Sequence, residues 1–140
     1  FSDGLAVLRE GKDVMIVATG IMVHRALEAA ESLATSGIDV GVTDLYRIKP
    51  FDDSALLSAI NKSKRVATLV ENSIVGGIGT VVSEVMAEAG VGIPLRRLGV
   101  ADEFRWDLGG RDPLQARDGL DIKSLKENLT NWTRDGAHLN

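Results

Sequence analysis

The run Val14-Met15-Ile16-Val17-Ala18 is apolar at every position, the pattern of a strand covered on both faces rather than one. A short extended segment, Ala6 to Arg9, and the turn residues Gly11 to Asp13 lead into it. Thr19-Gly20 then turns the chain into a helix predicted from about Ile21 to Thr35. Its stripe is Val23, Ala26, Leu27, Ala30, Leu33 and Ala34, and it closes at Ser36-Gly37 with a glycine C-cap. Ile38 to Leu45 reads as the next strand. Asp52 is placed to cap a helix over Asp53 to Lys62 that carries Leu56, Leu57 and Ile60.

The alternation continues. Arg65 to Val70 predicts another buried strand, ending at Glu71, and Gly76-Gly77-Ile78-Gly79 leads into a helix. Its apolar positions Ile78, Val81, Val82, Val85, Met86 and Ala89 lie on one helical face. Gly90 and Gly92 end it, and Pro94 to Leu98 is a short last strand. Gly99 to Arg111 reads as loop, and Ile122, Leu125, Leu129 and Trp132 mark a final helix from about Ile122 to Trp132. Strands alternating with helices predict an α/β fold: a three-layer α/β/α sandwich on a mostly parallel five-stranded sheet, the first short strand able to pair antiparallel. No repeat or linker divides the chain. One domain over 1–140 is expected, with its core at about 11–132 and a flexible tail at 133–140.

Composition narrows the function classes. The hydrophobic share of 44% and charged share of 26% are those of a globular domain, and 4% aromatics make the core aliphatic. A net charge of −4 lacks the basic footprint of a nucleic-acid surface. Without cysteine there are no disulfides, thiolate metal sites or cysteine nucleophiles, which fits a reducing, cytoplasmic setting. Val14 to Val23, the longest membrane candidate, is broken by Thr19 and Gly20 and falls short of the ~18 residues a span needs.

Catalytic equipment is sparse. The two histidines are His24, early in a helix, and His138, in the polar tail. G-x-S-x-G, H-E-x-x-H and EF-hand patterns are absent, so neither a catalytic residue nor a metal site is assigned. Asp52-Asp53 fits helix capping. Arg96 and Arg97 are strand neighbours that point to opposite faces, so they make no single patch.

The strongest small motif is the turn Glu71 to Gly79. Glu71 ends a buried strand at the C-terminal edge of a parallel sheet. A carboxylate there serves either to orient a ligand or, the favoured reading, to accept backbone N–H bonds from the following loop. Gly76, Gly77 and Gly79 stand where a strand-to-helix turn lets backbone N–H groups approach an anion. The same glycines also serve close packing of helix on strand or on a neighbouring subunit. The turn lacks the Lys-Ser/Thr of a Walker loop and the third glycine of the dinucleotide fingerprint.

Taken in order, these pieces resemble the C-terminal domain of the transketolase family, from about Gly11 to Leu129. The resemblance rests on Gly11-Lys12-Asp13-Val14, on Ala18-Thr19-Gly20-Ile21-Met22-Val23 and on Asp44-Leu45-Tyr46-Arg47-Ile48-Lys49-Pro50-Phe51-Asp52. It continues through Glu71-Asn72-Ser73-Ile74-Val75-Gly76-Gly77-Ile78-Gly79 and Arg97-Leu98-Gly99-Val100-Ala101-Asp102-Glu103-Phe104. Asn72 stands where split transketolase-like sequences often have histidine. Arg105-Trp106-Asp107-Leu108-Gly109-Gly110 replaces the family's short Gly-x-Ser-Gly-type segment.

The resemblance implies a division of labour. Thiamine diphosphate and its magnesium lie between two companion domains, and this domain supports assembly without holding the cofactor. The complete enzyme, a homo-oligomer, would move two-carbon ketol units between sugar phosphates, and this chain alone would be inactive. The similar domains of deoxyxylulose-phosphate synthase and of the 2-oxo acid dehydrogenase β subunit, the latter docking a partner such as an acyltransferase, stay open. So does a small anion-binding or effector-binding module built on the Glu71–Gly79 turn. Neither nucleic acid nor membrane is an expected partner.

Overall fold

The computed structural model describes residues 4–46, 52–73, 77–100 and 122–139, with side chains described at 4–46, 52–70, 77–98 and 122–134. The strands are β1 (Leu5–Arg9), β2 (Val14–Ala18), β3 (Val40–Leu45), β4 (Arg65–Ser73) and β5 (Leu95–Val100). The helices are α1 (Met22–Ala34), α2 (Asp53–Ile60), α3 (Ile78–Glu88) and α4 (Ile122–Leu139). The five strands form one sheet in the order β1-β3-β2-β4-β5. β1 pairs antiparallel with β3, and every other pairing is parallel. The mostly parallel sheet with one antiparallel edge strand is therefore the expected one.

β2 is the middle strand, and all five of its residues are buried. Because side chains alternate across a strand, it feeds two cores at once. Val14, Ile16 and Ala18 join Val23, Ala26, Ala30 and Leu33 of α1, and Leu125 and Leu129 of α4, on one face. Met15 and Val17 join Leu56 and Ile60 of α2, and Ile78, Val82 and Met86 of α3, on the other. That is the three-layer sandwich. Thr43, buried with the second core, donates its hydroxyl to Met15 Sδ at 3.2 Å, so its polar group is not stranded.

Helix boundaries follow local chemistry. Asp52 Oδ1 accepts from Ala55 N–H at 3.1 Å, the predicted cap of α2. Gly37 and Gly90, just past α1 and α3, take φ of +83° and +72°, a backbone that residues with a Cβ rarely adopt. Three details differ from expectation. The buried stripe of α1 includes Met22 and Ala29, while Ala34, the last residue of the helix, is exposed. β4 runs past Glu71 to Ser73, since β5 continues beside it as far as the Ser73↔Val100 pair. α4 continues beyond Trp132 to Leu139, through the segment expected as tail.

The N-terminal edge of the sheet is tied shut. Lys12 N–H donates to Asp39 Oδ2 at 2.9 Å, and Asp39 N–H donates to Asp13 Oδ2 at 2.8 Å. Ser63 Oγ donates to the Gly11 carbonyl at 2.5 Å, and Lys64 N–H to the Lys12 carbonyl at 2.9 Å. These bonds draw the turn before β2 tightly over β3. A Cβ at Gly11 would overlap the Gly41 backbone nitrogen. A Cβ at Gly41 would meet Gly11 N and the Met15 methyl at 2.7 Å and the Arg9 carbonyl at 2.9 Å. Two backbones touch here, so only glycine fits. Among the described residues no helix is long and apolar enough to cross a membrane.

Gly41→Ala is expected to force the β1–β2 turn off β3. Overpacking of this kind costs about 1–3 kcal/mol, a fall of roughly 4–10 °C in melting temperature by scanning calorimetry. Gly92→Ala, whose added methyl meets nothing within 4 Å, should leave the melt nearly unchanged.

Candidate functional site at the sheet's C-terminal edge

Ligand sites of open parallel sheets lie outside the carboxyl ends of the strands, where the direction of strand winding reverses. Here that reversal falls between β2 and β4, since the chain leaves β2 toward β3 and then crosses to β4. The turn Thr19-Gly20, with Gly20 at φ +62°, and the end of β4 therefore flank the same crevice.

Two helices begin at this edge without a side-chain cap. Ile21 at the start of α1 and Gly77 at the start of α3 offer no capping bond, and neither first turn carries an acid. The first N–H groups of both helices are thus unmatched by any capping side chain, and the helix dipole adds positive potential.

The four candidate residues fare differently. Glu71 lies in β4 near its C-terminal end; its side chain is outside the described residues. Gly76 also lies outside them. Gly77 is the N-cap of α3, with φ −86° and ψ −166°, extended backbone that any residue adopts. Gly79 is buried in the first turn, and a Cβ there would sit 2.9 Å from Thr68 Oγ1 and from Cγ and Cδ of Arg97. Gly79 is therefore a close-packing glycine that seats α3 against β4 and β5.

That contact brings forward two residues to which the sequence pattern assigns no shared role. Thr68 is buried on β4, and among the described residues its hydroxyl has no hydrogen-bond partner. Arg97 pairs with it across the sheet, lays its stem under Gly79 and is exposed at its end. Only the register of β4 and β5 brings them together, and no local motif announces it.

Asp44, next to last in β3, is the third such residue. It stands opposite Ala18 on β2 and Ala6 on β1. Burial among these neighbours raises its pKa above the ordinary aspartate value by desolvating the charged form. Asp44 is only half-buried, and its shifted carboxyl at the sheet edge makes it a candidate member of the site.

The described part of the edge brings together no donor set for a metal-bound diphosphate. Such a group needs converging oxygen donors around a hard divalent ion. Among the described residues no group of three His, Cys, Asp or Glu comes together. His24 is exposed on α1, and Asp52 is engaged as a helix cap. No step through thiamine diphosphate or magnesium is derived from these side chains.

A raised pKa means that ionising Asp44 costs more in the folded chain than in the unfolded one. The penalty is present at neutral pH and disappears as pH falls through the folded value toward 3.8. Asp44→Asn should therefore be more stable than the parent in urea unfolding at pH 7, and the gap should close on acidification. A constant gap would show that charge is not the cause.

With this geometry in view, the likeness to known proteins is consistent. The family model for the transketolase C-terminal domain matches residues 4–124. The chain is 43% identical over 120 residues to a 6-deoxy-6-sulfo-D-fructose transketolase subunit of Clostridium sp. (strain MSTE9), covering 86% of this chain and 37% of that protein. It is 40% identical over 119 residues to an apulose-4-phosphate transketolase subunit of Actinobacillus succinogenes, covering 85% of this chain and 38% of that one. A 1-deoxy-D-xylulose-5-phosphate synthase of Thermomicrobium roseum is 40% identical over 119 residues, covering 85% of this chain and 19% of the synthase. Among solved structures, a split-gene transketolase described as an inactive β4 tetramer superposes with a TM-score of 0.82 at 36% identity. That match covers 94% of this chain and 43% of the solved one. The chain thus spans well under half the length of these relatives. By sequence and by fold, it belongs to the transketolase family, as its C-terminal domain.

Proposed function

We propose that this chain is the non-catalytic assembly domain of a transketolase-like enzyme, whose complete form transfers two-carbon ketol units between sugar phosphates. The observation that carries the reading is 43% identity over 120 residues to a transketolase subunit. The description of the solved relative, an inactive β4 tetramer of a split-gene transketolase, supports it. So does the second relative, which is named as one subunit of a transketolase.

The cofactor, thiamine diphosphate with magnesium, supplies the carbanion chemistry of such enzymes and sits in companion domains or a companion subunit. This chain's part is mechanical. Its closed N-terminal edge gives a rigid platform, and the C-terminal edge, with Gly77, Gly79, Arg97 and Asp44, faces the companions. In the complete enzyme, a cytoplasmic homo-oligomer, that edge continues the assembly interface. The candidate turn Glu71, Gly76, Gly77 and Gly79 then shapes a surface for a neighbour rather than a pocket for an anion.

The 40% identity to the synthase favours a second parent reaction, in which the same domain serves a 1-deoxy-D-xylulose-5-phosphate synthase. Activity of the complete protein separates the two: ketol transfer between sugar phosphates against formation of deoxyxylulose phosphate.

Titration calorimetry of the purified chain with thiamine diphosphate and magnesium should give no stoichiometric heat. Binding at one equivalent with micromolar affinity would overturn the non-catalytic reading.

A further inference from the structure

Three residues far apart in sequence meet on the face of the sheet that packs α4. Arg65 opens β4, Arg96 is near the start of β5, and Trp132 lies on α4. The Arg96 guanidinium is centred 4.7 Å from the Trp132 ring centroid and that of Arg65 6.0 Å from it. Arg96 Nη1 donates to Asn128 Oδ1 at 2.7 Å, which fixes its plane from the next turn of the same helix. This cluster is at the N-terminal ends of β4 and β5, away from the edge that carries Gly77 and Gly79.

Among the described residues no carboxylate stands against the charge of this cluster. Arg65 is only 8% exposed as a residue, and its guanidinium stands over the Trp132 ring. Among the described residues an ion pair joins Lys62 to Glu10, and neither arginine has a carboxylate in reach. The indole attracts both cations but cannot cancel them, and two like charges gathered at one ring repel each other. Each guanidinium brings a rigid fork of N–H donors, and beyond the Asn128 bond these forks meet no described acceptor. Two such forks beside one flat apolar ring are the chemistry that binds a phosphate or carboxylate in bidentate fashion.

We propose that Arg65, Arg96 and Trp132 form a receptor for a small polyvalent oxyanion, a phosphate or a polycarboxylate, which supplies the missing negative charge. The site is independent of the assembly reading. Its occupancy also locks α4 onto the sheet, because the anion relieves the repulsion that otherwise works against the Trp132 contact.

The test uses inorganic phosphate and citrate as probes, with ionic strength held constant by sodium chloride. Melting temperature is followed together with tryptophan fluorescence in a Trp106→Phe background, so that Trp132 is the reporter. The expected result is a saturable rise in melting temperature, on the order of 5–10 °C at a hundredfold excess over half-saturation, with a matching fluorescence change. Arg96→Gln should abolish both, and Arg96→Lys, which keeps the charge and loses the fork, should weaken binding several-fold. Arg97→Gln, on the opposite face of the sheet, should change neither. Arg96 carries the test because it is the less buried arginine and its loss leaves both cores intact. A rise that grows without saturating, or that is the same in Arg96→Gln, would reflect general salting and overturn the proposal. No rise in the parent chain would overturn it as well.

Discussion

Everything in this fold depends on covering β2 from both sides. Val14 to Ala18 is a strand with no polar residue and no solvent contact, so each of its faces must be roofed by helices. The odd and even residues of five positions seed two separate cores, one under α1 and α4, the other under α2 and α3. Burial of such aliphatic side chains is worth roughly 1.5–3 kcal/mol each, against the entropy of ordering four helices. A strand exposed on one face would need only two of those helices.

The two edges of the sheet then divide the work. At the N-terminal edge, backbone and carboxylate hydrogen bonds close the Gly11–Asp13 turn over β3, and Gly11 and Gly41 bring the two backbones into contact. That end is built for rigidity. At the C-terminal edge two helices start without caps, Asp44 is held partly out of water, and Arg97 emerges beside Gly79. This end keeps polar groups that isolated folding does not require, which accords with the proposed assembly surface.

Much of this is legible in the sequence wherever the cause is local. The apolar run of β2, the Asp52 cap, the glycines after α1 and α3 and the opposite facing of Arg96 and Arg97 depend on residues a few positions apart, and all can be read without coordinates. Contacts set by strand register cannot. Gly41 gives no sign of touching Gly11, nor Thr68 of reaching Gly79, because the pairing that joins them involves distant parts of the chain. Asp44 reads as an ordinary strand-end acid until its neighbours are known. The glycine turn stands out in the sequence, yet the packing of Gly79 against Thr68 and Arg97, which accounts for glycine there, does not.

The central claim is that this domain assembles an enzyme whose chemistry is held elsewhere. The direct measurement is the light-scattering mass of the complete protein with and without residues 1–140, read beside its ketol-transfer activity. Loss of the domain should lower the number of subunits in the assembly, beyond the mass of the domain itself, and transfer with it. An unchanged number of subunits with unchanged transfer would contradict the assembly role.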